Sequence, residues 1–384
     1  MSWPTAKMGA ISTSIQPGPF GSQLHSSDYS AEGTPIIMPK DMVDGRISHT
    51  DLAFVSDQHV QRLSRHQVHP GDLMVARKGD VRKCVYITEY EDGWMTGSDC
   101  LKVSLNKERC FPKFVYYQLR SPYIGRWLET ISIGATMPSL NSGLLGSIEL
   151  FLPPIDVQMK IASILSAYDS LIETNQRQIK LLEEAAQRLY REWFVDLRFP
   201  GHEDVPVVDG VPEGWKRVKL LDIAPVLTGK RDANFGTPDG AYMFFTCAQE
   251  AIKAPSNSFD CDAVILAGNG DFNVKLFRGK FEAYQRTYVL SPYEQKNLYL
   301  LFHAVRESMR QLFQGASGST IKFLTKHMLN EIPVWIPNPY VMDSFNRNCE
   351  SIQCKSECLK RQVRDAIEAR DRLLPKLMSG EIAV

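Results

Sequence analysis

The chain carries no net charge: 44 Lys and Arg balance 44 Asp and Glu over 384 residues. That argues against nucleic-acid binding by bulk attraction alone, and leaves room for local basic loops or for a partner with further cationic surface. The eight cysteines form no CxxC pair and no regular framework, so free thiols and a reducing cytoplasm are expected. Apolar runs stop well short of the roughly 18 residues that suggest a membrane helix. The opening stretch MSWPTAKMGAIS lacks an apolar core, so neither a signal peptide nor a membrane span is expected. No GxxxxGK[ST] loop occurs, so ATP hydrolysis by this chain alone is not expected. HExxH and paired-cysteine spacings are missing, and His59, His66 and His69 are too loosely arranged for a metal site. Asn338-Pro339-Tyr340 has one proline where an adenine methyltransferase loop has two, and no glycine-rich cofactor loop follows an early strand. Asn338 as a helix N-cap, with Pro339 at the first helical position, accounts for that run. No catalytic residue and no cofactor bound by this chain are expected.

What is present is repetition. LPPIDVQMKIASILSAYDSLIETNQRQIKLLEEAAQRLYREWF and IPNPYVMDSFNRNCESIQCKSECLKRQVRDAIEARDRLLPKLM each read as one long helix. Ile161, Tyr168, Asn175, Leu182 and Leu189 recur every seven residues, and Phe345, Ile352, Leu359, Ala366 and Leu373 fill the same slots 184 positions later. Leu165, Ile172, Ile179 and Ala186 widen the first stripe, whereas Ser356 and Arg370 interrupt the second. Positions three, four and seven apart share a helix face, so each stripe needs a partner, and the simplest partner is the other copy. Asn175 on the stripe is a candidate for selecting helix register. Cys349, Cys354 and Cys358 read as small core or seam residues.

The segments ahead of the helices repeat too. Trp3 to Ile11 parallels Trp215 to Ile223 at an offset of 212, LMVARKGD parallels AVILAGNGD at 191, and GAT (134–136) parallels GST (318–320) at 184. A period this long is a duplicated domain. Strands are predicted at Leu73–Ala76, within KCVYIT (83–88) and within GSIELFLPP (146–154), and a helix pair or broken helix over 111–129. The expected class is α+β: two similar mixed α/β domains separated by two long antiparallel, coiled-coil-like helices with pseudo-twofold symmetry. The expected boundaries are 1–154, a first domain; 155–197, a long helix; 198–214, a linker; 215–338, a second domain; and 339–384, the second long helix and tail. Two related domains at a fixed separation suit a DNA target in two halves around an unread spacer.

GPFGSQL, PGDLMVARKGD, GATMPSLN and LPPIDVQMKIASIL, followed by VPEGWKRVKLLDI, AVILAGNGD, GST and LLPKLMSGEI, form an ordered set over essentially the whole chain. That set resembles the specificity subunit of a Type I restriction–modification system. The family commonly places Glu-Gln after Pro-Pro at the helix start; here Val157-Gln158 follow Pro153-Pro154, and the second copy has Val341-Met342. The resemblance implies two target recognition domains, each reading half of a bipartite sequence in double-stranded DNA. It also implies two methyltransferase (modification) subunits and a restriction/translocase subunit as partners, with S-adenosylmethionine, ATP and Mg on those partners.

Candidate contacts follow from residue chemistry. Arg77, Lys78, Arg82 and Lys83 flank the Gly79-Asp80 turn; Arg and Lys suit phosphates or guanine edges, and Asp accepts from cytosine. The counterpart loop offers Asn269, Asp271, Asn273 and Lys275, and Asn pairs bidentately with adenine. Lys230, Arg231 and Asn234 occupy the place of GPFGSQL in the second copy. Each loop has a plainer reading as a solvated turn. Thr136 and Thr320 suit backbone bonding more than phosphate. Tyr190, Trp193 and Phe194 cluster near a helix end, either as a partner surface, since aromatic anchors favour interfaces, or as core. Two rival readings are a coiled-coil scaffold without DNA recognition and a specificity chain of an atypical Type II-like system.

Overall fold

The computed structural model describes residues 3–131, 139–270, 272–315 and 323–384. It divides into two compact units, 1–174 with 362–384, and 175–361. Each unit takes one globular segment and part of both long helices.

In the first unit, four antiparallel strands lie in the order Ser12–Pro17, Cys100–Leu105, Leu73–Ala76 and Cys84–Tyr86. Successive side chains on a strand face opposite ways. Leu73, Val75, Leu101 and Val103 therefore join a core with Met8, Ile11 and Phe114. Met74, Ala76, Val85 and Cys100 join another with Ile37 and Met42. Burial on both faces explains why LMVA reads as a continuous apolar run instead of an alternating one. A second sheet pairs Thr34–Ile37 antiparallel with Ala53–Val55 and parallel with Met95–Thr96.

The second unit repeats the plan with different residues. Its antiparallel sheet runs Val226–Thr228, Thr287–Leu290, Ala263–Ala267 and Val274–Phe277. Val264 and Leu266 face one core, while Ala263 and Ile265 face Phe245 and Phe281 in another. Tyr242–Phe245 pairs antiparallel with Ile252–Ala254 and parallel with Lys280–Ala283. Only the flank of this smaller sheet differs: Tyr29–Ser30 extends the first copy beyond Ala53–Val55, and Phe259–Asp260 extends the second beyond Lys280–Ala283. The expected broken helix is present in the first unit as Pro112–Leu119 and Pro122–Ile131, whereas its counterpart runs uninterrupted over Leu298–Gly315. Proline restricts the residue before it and donates no N–H, which accounts for the break at Pro122.

The long helices are Ile155–Tyr190, closed by a π turn at Arg191–Val195, and Pro339–Ser379. In the first unit Ile161, Ala162 and Leu165 share a core with Leu374, Leu377 and Met378, and Asp169 pairs with Arg370 at 2.7 Å. In the second, Tyr190 and Phe194 share a core with Phe345 and Cys349, and Lys360 pairs with Glu183 at 2.8 Å. Within each unit the start of one helix meets the end of the other, so the pairing is antiparallel. Of the remaining seam residues, Ile172, Asn175, Leu359 and Ala366 are buried, while Tyr168, Leu182, Leu189, Ile352 and Leu373 are half-buried. The two residues that interrupt the pattern also face inward: Ser356 is buried, and Arg370 reaches its carboxylate partner. Cys354 departs from the seam reading, since it is exposed; Cys349 is buried. Asn338 caps the second helix as expected, its side chain accepting from the Val341 N–H at 3.0 Å.

The 198–214 segment is more than a tether. Phe199 is buried against Trp215, with ring centroids 4.7 Å apart, in the core of the second unit. A two-strand hairpin, Val207–Val208 with Val211–Pro212, turns at Asp209-Gly210. Both turn residues have positive φ, 52° and 76°, the geometry that favours an Asp-Gly pair. The Pro and Gly that mark a linker here mark a turn, and the buried ring makes the segment part of the unit.

Candidate nucleic-acid interface

The strands Leu73–Ala76 and Ala263–Ala267 end in loops with the same hydrogen-bond frame. Arg77 N–H donates to the Asp99 carbonyl at 2.7 Å, and Leu140 N–H donates to the Arg77 carbonyl at 2.8 Å. At the equivalent place, Gly268 N–H donates to the Arg286 carbonyl at 2.8 Å, and Leu324 N–H donates to the Gly268 carbonyl at 2.9 Å. Lys78 bridges Ser139 as Asn269 bridges Phe323. Gly79 and Gly270 follow at φ 74° and 71°, a conformation that disfavours a Cβ. Two loops of common backbone thus present different side chains.

In the first loop, the Arg77 guanidinium lies 5.4 Å from the exposed Phe20 ring. Lys78 pairs with Asp99 at 3.2 Å, and Arg82 with Asp80 at 3.1 Å, all largely solvent-exposed. Partial burial works to raise the Asp80 pKa, but hydrogen bonds and charge from Arg82 prevail and lower it. Lys83 donates to the Pro39 carbonyl at 2.9 Å. Exposed pairs of this kind are worth roughly 0–1 kcal/mol, so a phosphate can compete for the cations at small cost.

Two shallow hollows adjoin this loop. One, of about 350 Å³, is lined by Arg82, Arg120 and Arg126. The other, of about 330 Å³, is lined by Asp80, Arg82, Lys83 and Arg120. Arg120 and Arg126 carry no motif and escape a sequence reading; the helix pair after residue 111 brings them to the loop.

The second loop set is tied down more firmly. Arg231 lies 3.4 Å from the fully buried Glu282 carboxylate, with its guanidinium 4.4 Å from the Phe235 ring. Asn273 donates to the Cys247 carbonyl at 3.0 Å, and Lys275 to that of Ala248 at 2.9 Å. Burial pulls the Lys275 pKa down. These three side chains therefore brace neighbouring loops. Lys230 and Asn234 are exposed, and Asn269 is half-buried. Asp271, Thr136 and Thr320 lie outside the described residues.

Tyr190, Trp193 and Phe194 are not a surface. They are 4%, 8% and 1% exposed, with the Phe194 ring 4.9 Å from Phe345 and 5.4 Å from Trp215. Helical periodicity shows that they share a face; which neighbour covers it depends on contacts some 150 residues away, as with Phe345. Among the described residues, no cluster of His, Cys, Asp and Glu could hold a metal ion. No described helix is long and apolar enough to cross a membrane.

Residues 22–184 match the profile of the Type I restriction modification DNA specificity domain. The specificity subunit of the Type I restriction enzyme EcoDI of Escherichia coli is 35% identical over 176 residues, 45% of this chain and 39% of that one. The MjaIX specificity subunit of Methanocaldococcus jannaschii is 22% identical over 393 aligned positions, 93% of this chain and 88% of its own length. The chain is thus similar to the specificity subunits of Type I restriction enzymes. The alignment to the E. coli member of this family spans about two fifths of that protein, 39% of its length. For the fold, the crystal structure of a Type I restriction–modification S subunit from M. genitalium superposes with a TM-score of 0.62 at 15% identity, covering 98% of this chain and 96% of that one.

Proposed function

We propose that this chain reads a two-part DNA sequence and directs partner subunits to it, making and breaking no covalent bonds itself. The observation that carries the reading is the duplicated frame: one strand-end loop geometry, at 77–79 and again at 268–270, carrying unlike side chains. A shared backbone with different polar groups is what reading two unlike half-sites requires, since base identity is read by side-chain donors and acceptors while phosphate contacts hold position. Arg77, Lys78, Arg82 and Lys83, joined by Arg120 and Arg126, are the first unit's cationic contacts. Lys230, Asn234 and Asn269 are the exposed or half-exposed candidates of the second. Arg231, Asn273 and Lys275 shape the loops around them.

In this reading two methyltransferase subunits dock on the chain and supply S-adenosylmethionine chemistry, and a restriction/translocase subunit supplies ATP- and Mg-dependent work in the cytoplasm. The long helices set the unread gap between half-sites. The test is the methylation pattern of DNA treated with the chain and its methyltransferase partner. A split motif with a constant gap is expected, and replacing residues 215–338 with the second domain of another family member should change one half of it. Methylation without sequence preference favours the scaffold reading instead, and methyl transfer by the isolated chain contradicts the non-catalytic one.

A further inference from the structure

In each unit an arginine on a turn joins the globular lobe to a long helix. In the first unit the strands Met42–Val43 and Arg46–Ile47 form a hairpin around Asp44-Gly45, whose φ values are 49° and 81°, a tight turn that fixes where its flanking residue points. Arg46 leaves the tip and meets the first long helix twice: its guanidinium lies 2.9 Å from the Glu173 carboxylate and donates to the Asp169 carbonyl at 2.8 Å. The lobe's own helix grips the same tip, Tyr116 donating to the Gly45 carbonyl at 2.9 Å and Arg120 to that of Asp44 at 3.2 Å. Tyr117 donates to the Asp169 carboxylate at 2.6 Å. A Cβ on Gly45 would come within 2.5 Å of the Tyr116 hydroxyl, so the tip is closely seated.

The second unit makes a comparable contact from another part of its lobe. Arg278 stands beside Gly279, between the strands Val274–Phe277 and Lys280–Ala283, which belong to different sheets. Its two terminal nitrogens donate to the two Glu350 carboxylate oxygens on the second long helix, at 3.1 and 2.9 Å. Tyr299, on the lobe's helix, donates to the same carboxylate at 2.7 Å, and Arg278 donates to its hydroxyl at 2.8 Å. The two turns differ in sequence and in topological place, yet both join a lobe arginine to a helix carboxylate beside a lobe tyrosine. The duplicated frame does not account for that coincidence, because inherited positions would lie in register. Arg278 makes a two-pronged contact with one carboxylate, and Arg46 divides its terminal nitrogens between a carboxylate and a backbone carbonyl; a guanidinium held at two points is directional as well as attractive, and so holds an angle.

We propose that Arg46 and Arg278 are positioning residues that set the angle of each recognition lobe on its helix, and thereby the tolerance for the number of base pairs between the two half-sites. This rests on the bipartite-reading proposal above. The experiment uses the full chain reconstituted with its methyltransferase partner. The two half-sites are first read from the wild-type methylation pattern. DNA substrates then carry them at the native gap and at gaps one base pair shorter and longer. Arg46→Ala, Arg278→Ala and the charge-retaining Arg46→Lys and Arg278→Lys are compared with wild type, the lysine forms guarding against loss of the fold.

In the variants, the preference for the native gap over its neighbours should fall by roughly three- to tenfold, the range open to directional ion pairs at a partly exposed site. The bases required within each half-site should be unchanged. An unaltered gap preference in folded variants overturns the proposal, as does a loss of methylation equal at all gaps, which marks a role in stability alone. If the wild-type complex itself shows no split motif, the bipartite reading fails and this inference with it.

Discussion

Glu307 offers a stringent test of how the second lobe is held together. Its side chain is only 4% exposed, yet it is charged. It accepts from Arg191 at 2.6 Å, Arg310 at 2.5 Å and Gln187 at 3.1 Å. Burial works to raise its pKa, but the hydrogen bonds from Arg310, Arg191 and Gln187 prevail and bring it down to about 2. Breaking a fully buried ion pair by removing one partner costs about 3–5 kcal/mol. Here the arginines left behind are 37% and 40% exposed and water can reach them, so Glu307→Ala should cost about 2–3 kcal/mol, at or below the lower end of that range. The second unit covers 175–361, a size at which each kcal/mol moves Tm by about 2–4 °C. The variant's Tm should therefore fall by roughly 4–12 °C, and Glu307→Gln, which keeps one acceptor and the volume, should fall less. The pH dependence has a definite sign. The folded pKa lies below the unfolded value of about 4.3, so the stabilisation is fully present above that value and is lost as pH falls toward about 2. The gap between wild type and Glu307→Ala, measured by calorimetry, should shrink between about pH 7 and about pH 3. A Tm change under about 1 °C at neutral pH, or a gap of the same size at both pH values, refutes the argument.

Other consequences are open to measurement. His303 is buried, which together with the charge of Arg306 pushes its pKa down to about 3. The unfolded chain takes up that proton first, so stability should drop as pH falls below about 6.5, and His303→Gln should flatten the drop in a pH-resolved melt. If Arg82 and Arg126 hold phosphates, replacing both with Ala should make the slope of log affinity against log salt shallower by roughly two, with base preference intact; a change in preferred bases would show that they read sequence instead. Asn175 is buried on the helix stripe, and Asn175→Leu should alter the recognised gap or the assembly if the residue selects register. An unchanged gap with unchanged assembly removes that role. Trp193→Ala should cost about 3–5 kcal/mol through its cavity, and an unchanged melting curve would contradict its place in the core.

Much of the architecture could be read from the chain because it rests on local rules. The seven-residue stripe, the LMVA and AVILA runs and the Asn338-Pro339 start follow from helix and strand periodicity and from capping chemistry, which need only near neighbours. The duplication was visible for the same reason: Trp3 to Ile11 and Trp215 to Ile223 build the same short helix after the same strand. The interface was only partly legible. Arg77 and Arg231 look alike as basic loop residues, but one stands beside an exposed ring and the other is bound to a buried carboxylate. Arg120 and Arg126 carry no motif, and only the fold brings them to the loop.

By itself the sequence determined that there are two related lobes, two long striped helices and a pair of polar loops after equivalent strands. Tertiary structure decided which charges are spent inside the protein and which face outward. It turned Tyr190, Trp193 and Phe194 into core, gave Arg370 the carboxylate of Asp169, and set Arg46 and Arg278 as fastenings between lobe and helix. The physical reason is range. Periodicity and turn preference act over a few residues, whereas the partner of a charged side chain is chosen by whatever the fold brings within about 3 Å of it, often from more than a hundred residues away along the chain.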